Sequence, residues 1–121
     1  MTSQAIKVND LIVEYTSSQG TIRAVNGLDL SISEGEVYAL LGENGAGKTS
    51  TAEVLEGHRS RVGGQVEILG IDPAASGPCR RELRDQIGIV FQTSGIEAEI
   101  TPREALTLFG AVYRNPYSLS Y

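Results

Sequence analysis

A glycine-rich segment in the middle of the chain constrains the fold more than any other feature. Residues 42–49 read Gly-Glu-Asn-Gly-Ala-Gly-Lys-Thr. The continuous apolar run Val37–Leu41 precedes this segment, and Lys48–Glu56 follows with no glycine or proline until Gly57. We predict a strand buried on both faces, as in a parallel sheet covered by helices, then a tight loop, then a helix that ends at Gly57. This order of elements is typical of an α/β fold.

The residue types of the loop suit phosphate binding. The loop matches the pattern G-x-x-x-x-G-K-[ST], known as Walker A. Gly45 and Gly47 permit backbone angles that other residues resist, so successive N–H groups can point inward around phosphates. The helix that follows adds its positive end. Lys48 can reach the β and γ phosphates, and the Thr49 hydroxyl can ligate Mg²⁺. A chance glycine-rich turn is the alternative, and the predicted flanking strand and helix argue against it.

The remaining elements are predicted to be short and separated by turns. Upstream of the loop, two strands flank a polar turn at Thr16–Thr21, and Glu34-Gly35 forms a second turn. Downstream, a helix starts with Thr101 as cap, Pro102 in its first turn and Glu104 closing a capping box, and Asn115-Pro116 ends it. The two strands that flank the polar turn are Ile6–Tyr15 and Ile22–Ile32. Two further strands are predicted at Gln65–Leu69 and Ile87–Phe91, and a short helix is predicted at Arg80–Asp85.

Length and composition narrow the class of protein. The chain has 121 residues, 40% of them hydrophobic and 21% charged, which fits one globular domain at most. The net charge is −5, and no cluster of Lys and Arg provides the basic face that a nucleic-acid binder needs. Since no stretch approaches the ~20 apolar residues of a membrane span and no signal peptide is visible, a role at a membrane would require another polypeptide.

The segment Gly35–Thr49 resembles the first core strand and phosphate loop of the ATP-binding cassette (ABC) family. Asn44 and Ala46 extend the likeness beyond the bare Walker A pattern. The resemblance runs over Ile6–Tyr113 and implies an α/β P-loop NTPase core with an N-terminal antiparallel β portion, here incomplete. Four smaller segments look like the drug- and antibiotic-exporter branch, namely Leu55–Arg59, Gly64–Val66, Leu69–Pro73 and Thr101–Tyr113.

The resemblance also implies roles for individual residues. Tyr15 looks like the family's aromatic residue that stacks on adenine, and stacking of a base on an aromatic ring is independently worth ~1–3 kcal/mol. Gln92 looks like the Q-loop glutamine that contacts Mg²⁺ or the attacking water, and it is the one catalytic residue expected here. An ordinary strand tyrosine and a polar residue at a strand end are the alternatives. The expected nucleotide-binding residues are Tyr15, Gly42, Asn44, Gly45, Ala46, Gly47, Lys48, Thr49 and Ser50, and the expected Mg²⁺ ligands are Thr49 and Gln92.

Several motifs of the family do not occur in residues 1–121. No apolar run ends in Asp-Glu, so the Walker B aspartate and the catalytic glutamate are missing, as is the LSGGQ signature. Val62–Gln65 only echoes that signature, and His58 lies too close to the loop for the family's switch histidine. We therefore expect residues 1–121 to be the N-terminal part of one nucleotide-binding domain. We expect marginal stability, because Val37–Leu41 would lack flanking strands.

By resemblance, the chain is the ATP-binding part of an ABC transporter ATPase subunit that couples ATP binding and hydrolysis to transport, with export favoured. ATP and Mg²⁺ are the expected cofactors. A membrane permease subunit and a second cassette are the expected partners, at the cytoplasmic face of the cell membrane. The chain alone is not expected to hydrolyse ATP. Two alternatives stay open: a nucleotide-binding module without turnover, and a soluble ABC protein without a membrane partner.

Overall fold

The computed structural model describes residues 3–43, 45, 47–91, 93, 95–96 and 98–118. The chain divides into two compact units, Met1–Leu83 and Arg84–Tyr121. The secondary structure in chain order is β1 (Gln4–Ser17), β2 (Gly20–Ser33), α1 (Lys48–Leu55), β3 (Gly63–Ile68), α2 (Gly77–Gln86) and α3 (Pro102–Gly110). No helix within these ranges has both the length and the apolar composition that crossing a bilayer requires.

The first unit is built on a three-stranded antiparallel sheet in the order β2-β1-β3. Strands β1 and β2 form a hairpin that closes at the pair Ser17 and Gly20, so the connecting turn has only two central residues. The two upstream strands predicted from sequence are confirmed, and both continue further into the polar turn than expected. The hydroxyl of Ser17 accepts a hydrogen bond from the Gln19 amide at 3.3 Å and stabilises this turn.

The core lies between one face of this sheet and helix α1. Alternating apolar residues of the strands supply most of it, because successive side chains of a strand point to opposite faces. Helix α1 contributes Val54, which is 2% exposed. The buried core residues are Val8, Leu11, Val13, Val25, Leu30, Val54 and Val66, with Ile6, Leu28, Ile32 and Leu55 packed around them.

A bulge at Asp10 bends the central strand. The register of β1 shifts between Val8 and Leu11 against β2, and Asp10 has a φ of +49°. The Asp29 carboxylate accepts a hydrogen bond from the Asp10 amide at 2.7 Å and fixes the bulge from the neighbouring strand. Gly64 lies against the same point, and a Cβ there would come within 2.3 Å of the Asp10 carbonyl oxygen. Only glycine fits at position 64, which positions β3 beside β1.

The strand predicted at Val37–Leu41 does not form. These residues have no regular secondary structure, and the side chains of Val37 and Leu41 are 99% and 87% exposed. The physical reason is the lack of a lateral partner, because no strand among the described residues pairs with this segment and a single strand leaves its backbone groups unbonded. The prediction of a strand buried on both faces is therefore wrong, whereas the expectation that Val37–Leu41 would lack flanking strands is confirmed for the described residues.

The strand predicted at Ile87–Phe91 is wrong for the same reason. It has no regular structure, and the Val90 and Phe91 side chains are 99% and 62% exposed. Within the described ranges every strand pairing is antiparallel, so the predicted parallel core is not formed. The N-terminal antiparallel portion of the predicted fold is confirmed.

Helix α3 is the main element of the second unit. Its predicted start is confirmed: the Thr101 hydroxyl accepts from the Glu104 amide at 3.2 Å, and the Glu104 carboxylate accepts from the Thr101 amide at 2.7 Å. These bonds from Thr101 hold the pKa of Glu104 below its usual value. The predicted end at Asn115 is wrong, because the helix stops at Gly110. There the backbone tightens into i→i+3 bonds, among them Tyr113 N–H to the Gly110 carbonyl at 3.1 Å.

Candidate functional site

The glycine-rich loop leads directly into helix α1 through Gly47. Gly47 is the N-cap of α1 and has a φ of +90°, a left-handed conformation that favours glycine. A Cβ at this position would lie 2.5 Å from the carbonyl oxygen of Ala24 in β2. Glycine is therefore required at position 47 for two reasons, the backbone angle and the close approach of the loop to β2. Gly45 also has a positive φ, of +87°, but a Cβ there would meet nothing within 4 Å.

The start of α1 places amide groups that have no intrahelical acceptor beside a cation. The first N–H groups of a helix have no intrahelical acceptor, and the intrahelical bonding of α1 begins with the Thr51 amide, which donates to the Gly47 carbonyl at 2.9 Å. No acidic side chain lies in the first turn. The Lys48 ammonium folds back and donates to the carbonyl oxygen of Gly42. Positive charge is thus concentrated at one point of the loop, where an anion is favoured.

Three consecutive hydroxyl residues follow Lys48, and the structure gives them different environments. The side chains of Ser50 and Thr51 are 6% and 2% exposed, respectively. The Ser50 hydroxyl shares a hydrogen bond of 2.8 Å with the Tyr15 hydroxyl. Thr49 is exposed. Of these three hydroxyls, that of Thr49 is therefore the one accessible to a metal ion at the loop.

Tyr15 lies close to this helix although 35 residues separate it from Ser50. It belongs to β1 and is 37% exposed. Besides its hydrogen bond with Ser50, Tyr15 contacts Arg59, whose guanidinium lies over the ring at 4.4 Å from the ring centroid. This distance is within the range of a cation–π interaction. The structure therefore brings the predicted adenine-stacking residue to the helix that follows the phosphate loop.

The backbone conformation at the end of helix α1 brings Arg59 into contact with Tyr15. The amide of His58 donates to the Glu53 carbonyl at 2.8 Å, and the amide of Gly57 donates to the Val54 carbonyl at 3.1 Å. These two bonds form a Schellman motif around Gly57, whose φ is +76°. The chain turns back along α1, and the Arg59 guanidinium forms an ion pair with the Glu53 carboxylate. The hydrogen bond to Glu53 raises the pKa of Arg59.

Sequence patterns predicted part of this arrangement. Tyr15, Gly42, Gly45, Gly47, Lys48, Thr49 and Ser50 fall within the described residues, whereas Asn44, Ala46 and Gln92 lie outside them. The contact of Arg59 with Tyr15 and the hydrogen bond between the Tyr15 and Ser50 hydroxyls were not predicted. Gly57 was predicted to end the helix. Nothing in the sequence between Gly57 and Arg59 indicates that Arg59 contacts a residue of β1.

Comparison with known proteins decides the family. The model of the ABC transporter family matches residues 25–118, which is most of the chain. The chain belongs to the ABC transporter family. It is 37% identical over 94 residues to the daunorubicin resistance ATP-binding protein DrrA2 of Streptomyces coeruleorubidus, a match that covers 78% of this chain and 28% of the relative. This family membership confirms the resemblance that the loop and its flanking segments indicate.

Two further relatives are similar over a larger share of the chain. The Nod factor export ATP-binding protein I of Rhizobium meliloti (strain 1021) is 35% identical over 104 residues, covering 85% of this chain and 30% of the relative. The bacitracin transport ATP-binding protein BcrA of Bacillus licheniformis is 34% identical over 106 residues, covering 88% of this chain and 32% of the relative. The chain thus spans about a third or less of the length of these relatives.

Proteins of this family bind ATP, generally with Mg²⁺, and the described residues fit such a ligand. The start of α1 supplies amide donors and a helix N-terminus for phosphate oxygens. Lys48 would supply a cation, and the exposed Thr49 would offer its hydroxyl to the metal. No described atom lies within 4 Å of where a Cβ of Gly45 would stand, so the loop is open at that position. Donor types and steric access therefore agree with a bound nucleotide.

Proposed function

We propose that this chain provides the ATP-binding part of an ABC transporter subunit and holds Mg²⁺-ATP at the start of helix α1. One observation carries the proposal: the loop enters α1 through Gly47 in a left-handed conformation, with the Lys48 ammonium folded back to the Gly42 carbonyl. This arrangement joins amide donors, a helix N-terminus and a cation at one point. Few ligands other than a phosphate chain need all three together.

Each proposed contact follows from the chemistry of the residue. Lys48 and the amides at the start of α1 bind the phosphates, and the exposed hydroxyl of Thr49 ligates Mg²⁺. When bound, Mg²⁺ would neutralise negative charge on the phosphate oxygens. The partly exposed ring of Tyr15 stacks on the adenine base. The buried Ser50 hydroxyl is engaged with Tyr15, so we assign Ser50 to the site through its backbone amide and its support of the ring.

In the whole protein, we infer that this part couples ATP binding to transport across a membrane through a permease subunit and a second cassette. The names of the relatives support transport, since one is a Nod factor export protein and another a bacitracin transport protein. We take export as the direction and the cytoplasmic face of the membrane as the place of action. Gln92 is proposed as the glutamine that contacts the metal or the attacking water.

For residues 1–121 by themselves, we propose nucleotide binding without turnover. The sequence has no apolar run that ends in Asp-Glu, which the family requires for hydrolysis. A steady-state phosphate-release assay on the chain is expected to give the same rate as buffer. Robust release that disappears in Lys48→Ala would contradict this part of the proposal.

Binding is tested by the shift of the unfolding midpoint with Mg²⁺-ATP. A ligand at about 100 times its dissociation constant stabilises a protein that binds it only when folded by about 2.7 kcal/mol. We expect such stabilisation in the native chain and its loss in Lys48→Ala. Lys7 is the other lysine of the chain and is exposed on β1, so Lys7→Ala is a matched control that should keep the shift. An equal shift in Lys48→Ala would refute the site.

A further inference from the structure

We propose that Arg59 is a positioning residue for the nucleotide site: it fixes the ring of Tyr15 so that one face stays available for stacking on a base. This inference rests on the proposed function, since it concerns the base-binding half of that site. It assigns a role to the residues after α1, which lie outside the phosphate loop. Three independent contacts support it, each involving a described side chain.

The first contact covers one face of the aromatic ring. The Arg59 guanidinium lies 4.4 Å from the centroid of the Tyr15 ring. A planar guanidinium stacks well on an aromatic face. Since the ring has two faces, a base can stack only on the face that Arg59 leaves uncovered. Tyr15 as a whole is 37% exposed, and we take the uncovered face of its ring as the one on which a base stacks.

The second contact holds Arg59 in place. Its Nε donates to the Glu53 carboxylate, and its backbone amide donates to the Glu53 carbonyl at 3.2 Å. Glu53 lies on helix α1, so the guanidinium is tied to this helix through both backbone and side chain. Neither group is deeply buried, since the Arg59 and Glu53 side chains are each 32% exposed. Such an ion pair contributes little to global stability, and the role that we assign to it is to orient the Arg59 side chain.

The third contact fixes the other end of the ring. The Tyr15 hydroxyl shares a 2.8 Å hydrogen bond with the buried Ser50 hydroxyl in the first half of α1. The ring is therefore held at its hydroxyl by Ser50 of α1 and at one face by Arg59, which Glu53 ties to the same helix. The stacking surface is consequently tied to helix α1, whose first residues supply the amides that we assign to phosphate. Pre-organisation of this kind raises affinity because less side-chain freedom is lost on binding.

The test separates binding of the base from binding of the phosphates. Dissociation constants of the full chain for Mg²⁺-ATP and for Mg²⁺-tripolyphosphate, which lacks the base and the ribose, are measured by calorimetry. We expect Arg59→Ala to weaken ATP binding about threefold to tenfold. Binding of tripolyphosphate should change by less than about twofold, because Arg59 acts through Tyr15 alone. Arg81→Ala, which removes an exposed arginine from α2, controls for the lost positive charge.

A double-mutant cycle tests whether the effect passes through Tyr15. In a Tyr15→Ala background, Arg59→Ala is expected to cause no further loss of ATP affinity. Arg59→Lys keeps a cation near the ring but loses the planar stack and should retain part of the effect. Glu53→Gln keeps an acceptor for Arg59 without the charge and should also be intermediate. These two variants carry the test if Arg59→Ala fails to fold.

Two outcomes would overturn the inference. An equal loss of affinity for ATP and tripolyphosphate in Arg59→Ala would assign Arg59 to electrostatic attraction of phosphate. Unchanged ATP affinity in Arg59→Ala would show that the ring needs no support. The proposed function fails differently: in that case neither ligand binds the native chain, or Lys48→Ala binds both as well as the native chain does.

Discussion

The hairpin of β1 and β2 and the segment Val37–Leu41 are both rich in apolar residues, yet only the hairpin forms strands. In the hairpin, Leu11 is fully buried, whereas Leu41 is 87% exposed. The difference lies in lateral partners, because β1 pairs on both sides and the described residues offer Val37–Leu41 no strand to pair with. An apolar sequence therefore creates the capacity for a strand, and hydrogen-bonding neighbours decide whether it is realised.

The contrast has a consequence for the phosphate loop. The helix side of the loop is supported by Gly47 packed against β2 and by Val54 in the core. The other side of the loop continues into the unpaired segment Val37–Leu41. The loop is thus anchored at one end only within the described residues.

The largest difference is expected between two leucines. Leu11→Ala removes a fully buried side chain from the core and should lower the free energy of unfolding by about 2–5 kcal/mol. Leu41→Ala alters an exposed side chain and should change it by less than about 0.5 kcal/mol. Urea denaturation of both variants checks the prediction. A comparable loss in the two variants would mean that Val37–Leu41 is packed after all.

The next difference is expected between two glycines of the loop. Gly45→Ala carries only the strain of a left-handed backbone, about 1–2 kcal/mol. Gly47→Ala adds the collision of its Cβ with the Ala24 carbonyl oxygen at 2.5 Å, and the displacement should cost about 1–3 kcal/mol more. Thermal unfolding of the two variants measures the difference. Equal destabilisation would show that the loop does not approach β2 closely.

A smaller effect is expected from two tyrosine hydroxyls. Tyr15→Phe removes the hydrogen bond to the buried Ser50 hydroxyl and should lower the free energy of unfolding by about 1 kcal/mol. Tyr113→Phe removes an exposed bond to the Ile87 carbonyl in the second unit and should cost less than about 0.5 kcal/mol. Urea denaturation compares them. A larger cost for Tyr113→Phe would contradict the greater contribution that we assign to the hydrogen bond with the buried partner Ser50.

The smallest effect is a dependence of stability on pH. Arg61 donates two hydrogen bonds to Asp72, at 2.9 and 2.5 Å, and this pairing holds the pKa of Asp72 below its usual value. The pKa is depressed in the folded state, so the stabilisation is present above the unfolded pKa and is lost as pH falls below about 4. The Asp72 side chain is 42% exposed, and solvent screening limits the effect to under about 1 kcal/mol.

The measurement for this last prediction is the free energy of unfolding between pH 7 and pH 3. The difference between the native chain and Asp72→Asn should shrink as the pH falls below about 4. A difference that stays constant over the whole range would show that the ion pair contributes nothing through the charge of Asp72.

The sequence predicted the elements whose signals are local. The capping box at Thr101 and Glu104, the helix end at Gly57 and the two strands that flank the polar turn at Thr16–Thr21 all depend on neighbouring residues, and all are confirmed. The strands predicted at Val37–Leu41 and Ile87–Phe91 depend on distant partners, which a pattern of apolar residues cannot supply. The contact between Arg59 and Tyr15 depends on how a helix end meets a strand, and no spacing encodes it.

The central claim is that the start of helix α1 binds a phosphate chain, and amide chemical shifts test it most directly. On titration of the ¹⁵N-labelled chain with Mg²⁺-ATP, we expect the largest shifts at Gly45, Gly47, Lys48 and Thr49, and we expect them to vanish in Lys48→Ala. Amides of the core residues Val8 and Val66 should change little. Unmoved amides at the loop under saturating ATP, or the largest shifts in helix α3, would contradict the account.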